Sequence, residues 1–133
     1  MKLTVKSEYA CLAMIDMAEH YNEGYIKISD ICRRKGIPKK FLETILLSLK
    51  TSGYCLSKRG GDGGYMLAKS PDMITLAEII RLMDGALAPV ESVSTFFYRN
   101  TPIEKNEKLK TILKDIRDYI AERLENVTLS DLT

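Results

Sequence analysis

The feature that most restricts the fold of this chain is a pair of helical segments separated by a very short turn. Ser29 is placed to cap a helix over residues 30–35, and Gly36 follows as a left-handed C-terminal residue. Pro38 then stands in the first turn of a second helix, which reaches about Ser52. Two helices joined by so few residues predict a helix-turn-helix unit.

The second of these helices divides its residues between two faces. Apolar residues recur at the helical spacing of a core face, at Leu42, Ile45, Leu46 and Leu49. The opposite face carries Lys40, Glu43, Thr44 and Leu47, with Lys39 beside it. Charged side chains in this position favour a helix presented to the major groove of DNA.

The net charge of +2 hides an uneven distribution along the chain. Residues 1–69 carry 12 Lys and Arg against 7 Asp and Glu, whereas residues 70–133 carry 8 against 11. The excess lies between Lys27 and Arg59, where nine basic residues accompany only Asp30 and Glu43. This distribution predicts a polyanion-binding front half, although charge alone also allows an ordinary solvated basic face.

A glycine-rich segment follows the helix-turn-helix. Short alternating segments at residues 54–58 and 65–68 flank Arg59-Gly60-Gly61-Asp62-Gly63-Gly64, which predicts a β-hairpin with an open tip. A phosphate-binding loop is disfavoured because no Gly-Lys-Ser/Thr follows and a strand, not a helix, comes next. We therefore expect a wing.

The remaining segments are helical apart from one loop. Ser7 is expected to cap a buried first helix, and Thr75 with Glu78 forms a capping box for a helix ending at Gly85. Residues 86–102 show no periodic spacing of apolar residues, which predicts a loop. Residues 104–126 form the longest helical pattern, with an apolar stripe that includes Leu109, Ile112, Leu113, Ile116, Tyr119, Ile120 and Leu124.

The stripe on the long helix predicts a homodimer, because its apolar width exceeds what one small lobe can cover. The alternative is a helix folded back on its own domain. Leu109, Ile112, Leu113, Ile116, Ile120 and Leu124 are the predicted dimerisation residues. The expected organisation is a DNA-binding domain at 1–85, a linker loop at 86–103, and a dimerisation helix with a C-terminal turn at 104–133.

Several classes of protein are excluded or disfavoured by the sequence. No apolar run approaches the roughly 20 residues of a membrane helix, and no secretory signal is visible, so we expect a cytoplasmic protein without membrane contact. Cys11, Cys32 and Cys55 are too scattered for a disulfide framework and are expected to be reduced, buried thiols. No catalytic motif is present, so no enzyme activity is predicted.

The chain resembles the bacterial IscR-type regulators, also called the Rrf-two family. The resemblance is carried by residues 3–10, 36–49, 74–85 and 127–132, and above all by the wing Lys-Arg-Gly-Gly-Asp-Gly-Gly-Tyr-Met-Leu at 58–67. It implies a mainly α, dimeric winged helix-turn-helix regulator that acts as a repressor on a palindromic operator, with the helix that follows Pro38 in the major groove and Arg59 in the minor groove. The predicted DNA-contacting residues are Lys6, Ser29, Pro38, Lys39, Lys40, Glu43, Thr44, Lys50, Arg59, Gly60 and Gly61.

One departure from the family bears on cofactors and on the signal. Many members hold an iron-sulfur cluster with three cysteines in the loop before the long helix, but residues 86–106 contain none. We therefore expect no cofactor. Three kinds of signal remain open for the regulator: a small molecule bound near Phe96, Phe97 and Tyr98, a partner protein, or thiol oxidation. The three aromatic residues are equally consistent with simple packing against the long helix.

The alternative function is a winged-helix module that docks a protein rather than DNA.

Overall fold

A computed structural model describes residues 2–133 of the chain. Its five α-helices and one hairpin confirm the predicted mainly α fold with a wing. The helices are α1 (Val5–Glu19), α2 (Ile28–Lys35), α3 (Lys39–Thr51), α4 (Leu76–Asp84) and α5 (Glu107–Glu125), and the strands are β1 (Cys55–Lys58) and β2 (Gly64–Leu67). Short 3-10 turns occupy Pro71–Met73, Glu91–Val93, Pro102–Lys105 and Leu129–Leu132.

Two predicted helix caps were wrong. α1 begins earlier than expected because Thr4 has extended backbone and its hydroxyl accepts a hydrogen bond from the Ser7 amide at 3.2 Å, so Ser7 lies buried inside the helix. α2 begins at Ile28 after Lys27, and Ser29 is in its first turn. The cause is tertiary: Ile26 pairs with Tyr65 of the wing, which keeps the chain extended up to Lys27.

The turn between α2 and α3 follows the sequence prediction. Gly36 adopts the left-handed conformation, with φ of 67°, as predicted, whereas Pro38 has extended backbone and occupies the N-cap position directly before α3 instead of its first turn. The four apolar residues of α3 at helical spacing are buried in the main core, where they meet α1. α3 therefore fixes one face in the core and leaves the other in solvent.

The wing is a tight antiparallel hairpin in which Cys55 pairs with Leu67 and Lys58 with Gly64. A Cβ atom at Gly63 would overlap the carbonyl oxygen of Lys58, so this position has no room for a side chain. Gly60 and Gly61 have open space where a side chain would be. The base of the wing is thus closely packed, and its tip is open.

The chain returns to the first lobe after α5. The Leu76 amide donates to the Val127 carbonyl at 2.8 Å, the Leu129 amide donates to the Ile74 carbonyl at 3.0 Å, and Leu129 is fully buried in the main core. The predicted capping box at Thr75 and Glu78 is present and starts α4 beside this connection. The last turn therefore packs with the lobe that contains α1 and the helix-turn-helix, although it follows the long helix in sequence.

No helix within residues 2–133 combines the length and the apolar content that crossing a lipid bilayer requires.

Candidate nucleic-acid interface

An open groove of about 550 Å³ lies between α3 and the wing. It is bordered by five cationic side chains and one anionic side chain: Lys27, Lys39, Lys50, Lys58, Arg59 and Glu43. Ser29, Leu47, Ser57, Gly60 and Tyr65 also line it. A groove with this excess of positive charge attracts polyanions.

The basic run that was identified in the sequence separates into two groups in the structure. Arg33, Arg34 and Lys35 of α2 are paired with Asp30, Asp16 and Glu19, at 3.1, 2.8 and 2.6 Å respectively. The remaining cations of the run lie on or beside the groove. The positive charge available to a ligand is therefore concentrated along α3 and the wing.

The pair between Asp16 of α1 and Arg34 of α2 fixes the helix-turn-helix to the first helix. Asp16 is fully buried, and each of its carboxylate oxygens accepts a hydrogen bond of 2.8 Å from the guanidinium. Hydrogen bonding to Asp16 raises the pKa of Arg34 above its ordinary value. This bidentate contact holds α2, and through the short turn α3, at a set angle to α1.

The exposed face of α3 carries the side chains that could contact bases. Lys39 Nζ is 3.9 Å from Glu43 Oε1, a long ion pair that leaves the carboxylate exposed. Lys40 and Thr44 are also exposed. They form a second concavity of about 400 Å³ with Lys6 and with Val5, Phe41 and Ile45.

The structure therefore places the predicted DNA-contacting residues in neighbouring groups. Six line the main groove: Ser29, Lys39, Glu43, Lys50, Arg59 and Gly60. Lys6, Lys40 and Thr44 line the second concavity, Pro38 caps α3, and Gly61 lies on the far side of the wing. Leu47, which helical spacing places on the exposed face of α3, also lines the groove but was not among the predicted contacts, and the same holds for Lys27, Lys58 and Tyr65. The two lysines belong to the basic run, whereas the position of Tyr65 depends on its pairing with Ile26.

The predicted dimerisation stripe on α5 splits into two faces. Ile120 and Leu124 pack on Ala77, Ile80 and Leu87 of the same chain, and Leu113 is half-buried. Arg117, on this inner face, donates to the Val93 carbonyl at 2.9 Å. The outer face, which we call the α5 seam, consists of Leu109, Ile112, Ile116 and Tyr119, all exposed.

A model of the Rrf2 family, described as iron-dependent transcriptional regulators, matches residues 3–133. The chain belongs to this family. It shares 33% identity with the HTH-type transcriptional regulator CymR of Bacillus subtilis over 99% of this chain and 89% of that protein. It shares 35% identity with the regulator IscR of Erwinia tasmaniensis over 99% of this chain and 78% of that protein.

Solved structures of relatives have the same fold. The structure of CymR, the global cysteine regulator of B. subtilis, matches with a TM-score of 0.86 and 30% identity over 99% of this chain and 95% of that one. The structure of T. potens IscR matches with a TM-score of 0.78 and 29% identity over 99% of this chain and 85% of that one. The chain is thus a DNA-binding transcriptional regulator with a winged helix-turn-helix, and the groove between α3 and the wing is its candidate DNA interface.

The residues present do not fit an iron-sulfur cluster. Such clusters need several thiolates in one place, whereas Cys11, Cys32 and Cys55 lie on α1, α2 and β1, and residues 86–106 contain no cysteine. Burial, with the charge of Asp84, raises the pKa of Cys11 to about 11, and burial raises that of Cys55 to about 12. Both are therefore protonated thiols near neutral pH.

Proposed function

We propose that this regulator is a homodimeric repressor that binds a palindromic operator and carries no iron-sulfur cluster. The observation that carries the proposal is the exposed face of α3 beside a basic wing, on a chain whose α5 seam is apolar. In this proposal residues 1–85 form the DNA-binding domain, residues 86–103 form the loop that links it to the long helix, and residues 104–133 form the dimerisation segment. The last turn of that segment packs back on the DNA-binding domain.

The α5 seam supports pairing with a second copy. Leu109, Ile112, Ile116 and Tyr119 follow one another at alternating spacings of three and four, the repeat by which two helices interlock. Ile112 is 57% and Tyr119 71% exposed. A dimer that buries this seam removes a contiguous apolar surface from water, and its two-fold symmetry presents two DNA-binding lobes to a palindrome.

Selection from a randomised duplex pool tests the proposal. The protein is expected to enrich a palindromic sequence and to bind it more tightly than a scrambled duplex at each of two salt concentrations. Non-specific binding, in contrast, falls steeply with salt on every duplex. A protein-docking module would enrich no sequence, so that outcome contradicts the proposal.

Lys40 and Glu43 are expected to play opposite roles on α3. An ammonium group at Lys40 meets phosphates and carries little sequence information, so Lys40→Ala should weaken binding to all duplexes similarly and reduce the salt slope by about one per subunit, or about two for the dimer. The Glu43 carboxylate is repelled by phosphates, and it fits on this face by accepting a hydrogen bond from a cytosine amino group. Glu43→Ala should relax one base-pair preference per half-site by roughly 1 to 3 kcal/mol.

Fluorescence anisotropy on the selected operator and its single-base variants, at one salt concentration, measures both effects. Lys40→Ala serves as the control for general loss of affinity, because it sits one turn from Glu43 on the same exposed face. Identical patterns for the two variants across all base changes would mean that α3 does not read bases.

Arg59 is expected to enter the minor groove from the wing. The open space at Gly60 and Gly61 allows the backbone to approach DNA closely, and an arginine is attracted by the negative potential of a narrow A·T-rich groove. Arg59→Ala should weaken binding to operators with A·T-rich flanks about tenfold per half-site, the value of one charged contact, and so about a hundredfold for the dimer. Titrations on G·C-flanked operators supply the control, and an equal loss on both kinds of flank would contradict this role.

The proposed absence of a cluster has a direct test. Protein purified without oxygen is expected to be colourless and to contain no stoichiometric iron or sulfide. Stoichiometric iron with visible absorption that is lost on replacing Cys11, Cys32 or Cys55 by Ala would overturn this part of the proposal.

A further inference from the structure

Leu47 is a large apolar side chain in the middle of the exposed face of α3. It is 56% exposed, whereas the four core residues of the same helix are buried. At 100° per residue, Leu47 points about 150° away from the mean direction of those four side chains. Packing within its own chain therefore does not explain a leucine at this position.

The surroundings of Leu47 are polar and basic. α3 contributes four side chains to the groove, and three of them are charged: Lys39, Glu43 and Lys50. Leu47 is the apolar one of the four. A polar side chain would suit a phosphate-binding surface better, so a leucine gains from contact only if the bound molecule also presents an apolar group there.

In the major groove of DNA, the apolar group on the edges of the bases is the C5 methyl of thymine. We propose that Leu47 contacts the methyl group of one thymine in each half-site and thereby selects thymine at that base pair. This inference rests on the proposed role of α3 as the base-reading helix. Glu43 lies four residues earlier, a rise of about 6 Å along the helix, and base pairs follow one another at about 3.4 Å, so its base pair lies within about two steps of the thymine.

Deoxyuridine provides the test because it differs from thymidine only by the missing methyl group. The probe is the palindromic duplex that the protein selects from a randomised pool, with each thymine replaced in turn at the two symmetric positions. We expect one such pair of positions where uracil weakens binding about fifteenfold, which is about fourfold per half-site, the value of one buried methyl group. In Leu47→Ala the thymine and uracil duplexes should bind equally.

Leu56→Ala is the matched control. Leu56 is an exposed leucine of β1, 46% exposed, and it does not line the groove, so its variant should keep the full difference between thymine and uracil. Because both leucines are exposed, neither variant is expected to lose its fold, and circular dichroism checks this.

Two results would overturn the inference: no thymine at which uracil matters, or an undiminished difference in Leu47→Ala. The Lys40 and Glu43 variants separate this failure from a wider one. If they give their expected patterns while uracil has no effect, only the role of Leu47 is wrong. If neither affects DNA binding, α3 is not the base-reading helix, and both proposals fail.

Discussion

Ile116→Asp is expected to convert the protein to a monomer of 15.0 kDa and to weaken binding to a palindromic operator about a hundredfold or more. Ile116 lies in the middle of the α5 seam, so an aspartate there would be buried without a partner in the dimer. Two linked lobes bind a palindrome far more tightly than one lobe, because the second contact is intramolecular. Losing the dimer therefore removes most of the affinity.

Thr111→Asp is the matched control for this experiment. Thr111 is an exposed residue of the same helix, and helical spacing places it about 120° away from the mean direction of the seam, so the added charge should leave the seam intact. Light scattering should report twice 15.0 kDa for the unaltered protein and for Thr111→Asp. A monomeric unaltered protein, or an unchanged dimer in Ile116→Asp, would contradict the assignment of the seam.

Arg34→Met is expected to destabilise the fold by about 3 kcal/mol. The substitution keeps most of the aliphatic volume but leaves the carboxylate of Asp16, whose side chain is 0% exposed, without its guanidinium partner. Removing one partner of a buried pair costs much more than the pair contributes, because the remaining charge stays buried. α2 should also lose its fixed position against α1, so affinity for DNA should fall together with stability.

Arg33→Met provides the comparison within the same helix. The ion pair of Arg33 with Asp30 has exposed side chains, 71% and 41%, and such pairs contribute at most about 1 kcal/mol. Urea unfolding followed by circular dichroism gives the free energy of unfolding for both variants. Equal losses in Arg33→Met and Arg34→Met would show that burial of Asp16 does not decide the effect.

Local sequence signals predicted most of the DNA-binding lobe. Gly36 and Pro38 mark the turn, Thr75 and Glu78 mark the start of α4, and the alternating segments around the glycines mark the wing, because each depends on residues close together in the chain. The predicted cap at Ser29 was wrong because this part of the backbone depends on a distant contact. The pairing of Ile26 with Tyr65 keeps the chain extended up to the start of α2, and these two residues are far apart in sequence, so no local pattern indicates the contact.

The long helix shows the same limit. Its apolar stripe is visible in the sequence, but periodicity alone cannot tell that Ile120 and Leu124 meet α4 of the same chain while Ile112 and Ile116 face solvent. The pairing of Arg34 with Asp16 also could not be predicted, because in sequence Arg34 is one member of a basic run. Tertiary contacts therefore determine which cationic side chains are left without an acidic partner and are available to bind DNA.

The most direct test of a dimer that reads DNA with α3 and the wing is a hydroxyl-radical footprint on the selected operator. We expect two equal protected patches, related by the symmetry of the palindrome, with centres a whole number of helical turns apart at about 10 base pairs per turn. Arg59→Ala should lose protection in the flanking minor grooves only. A single protected patch would contradict the account, and so would uniform protection along the whole duplex.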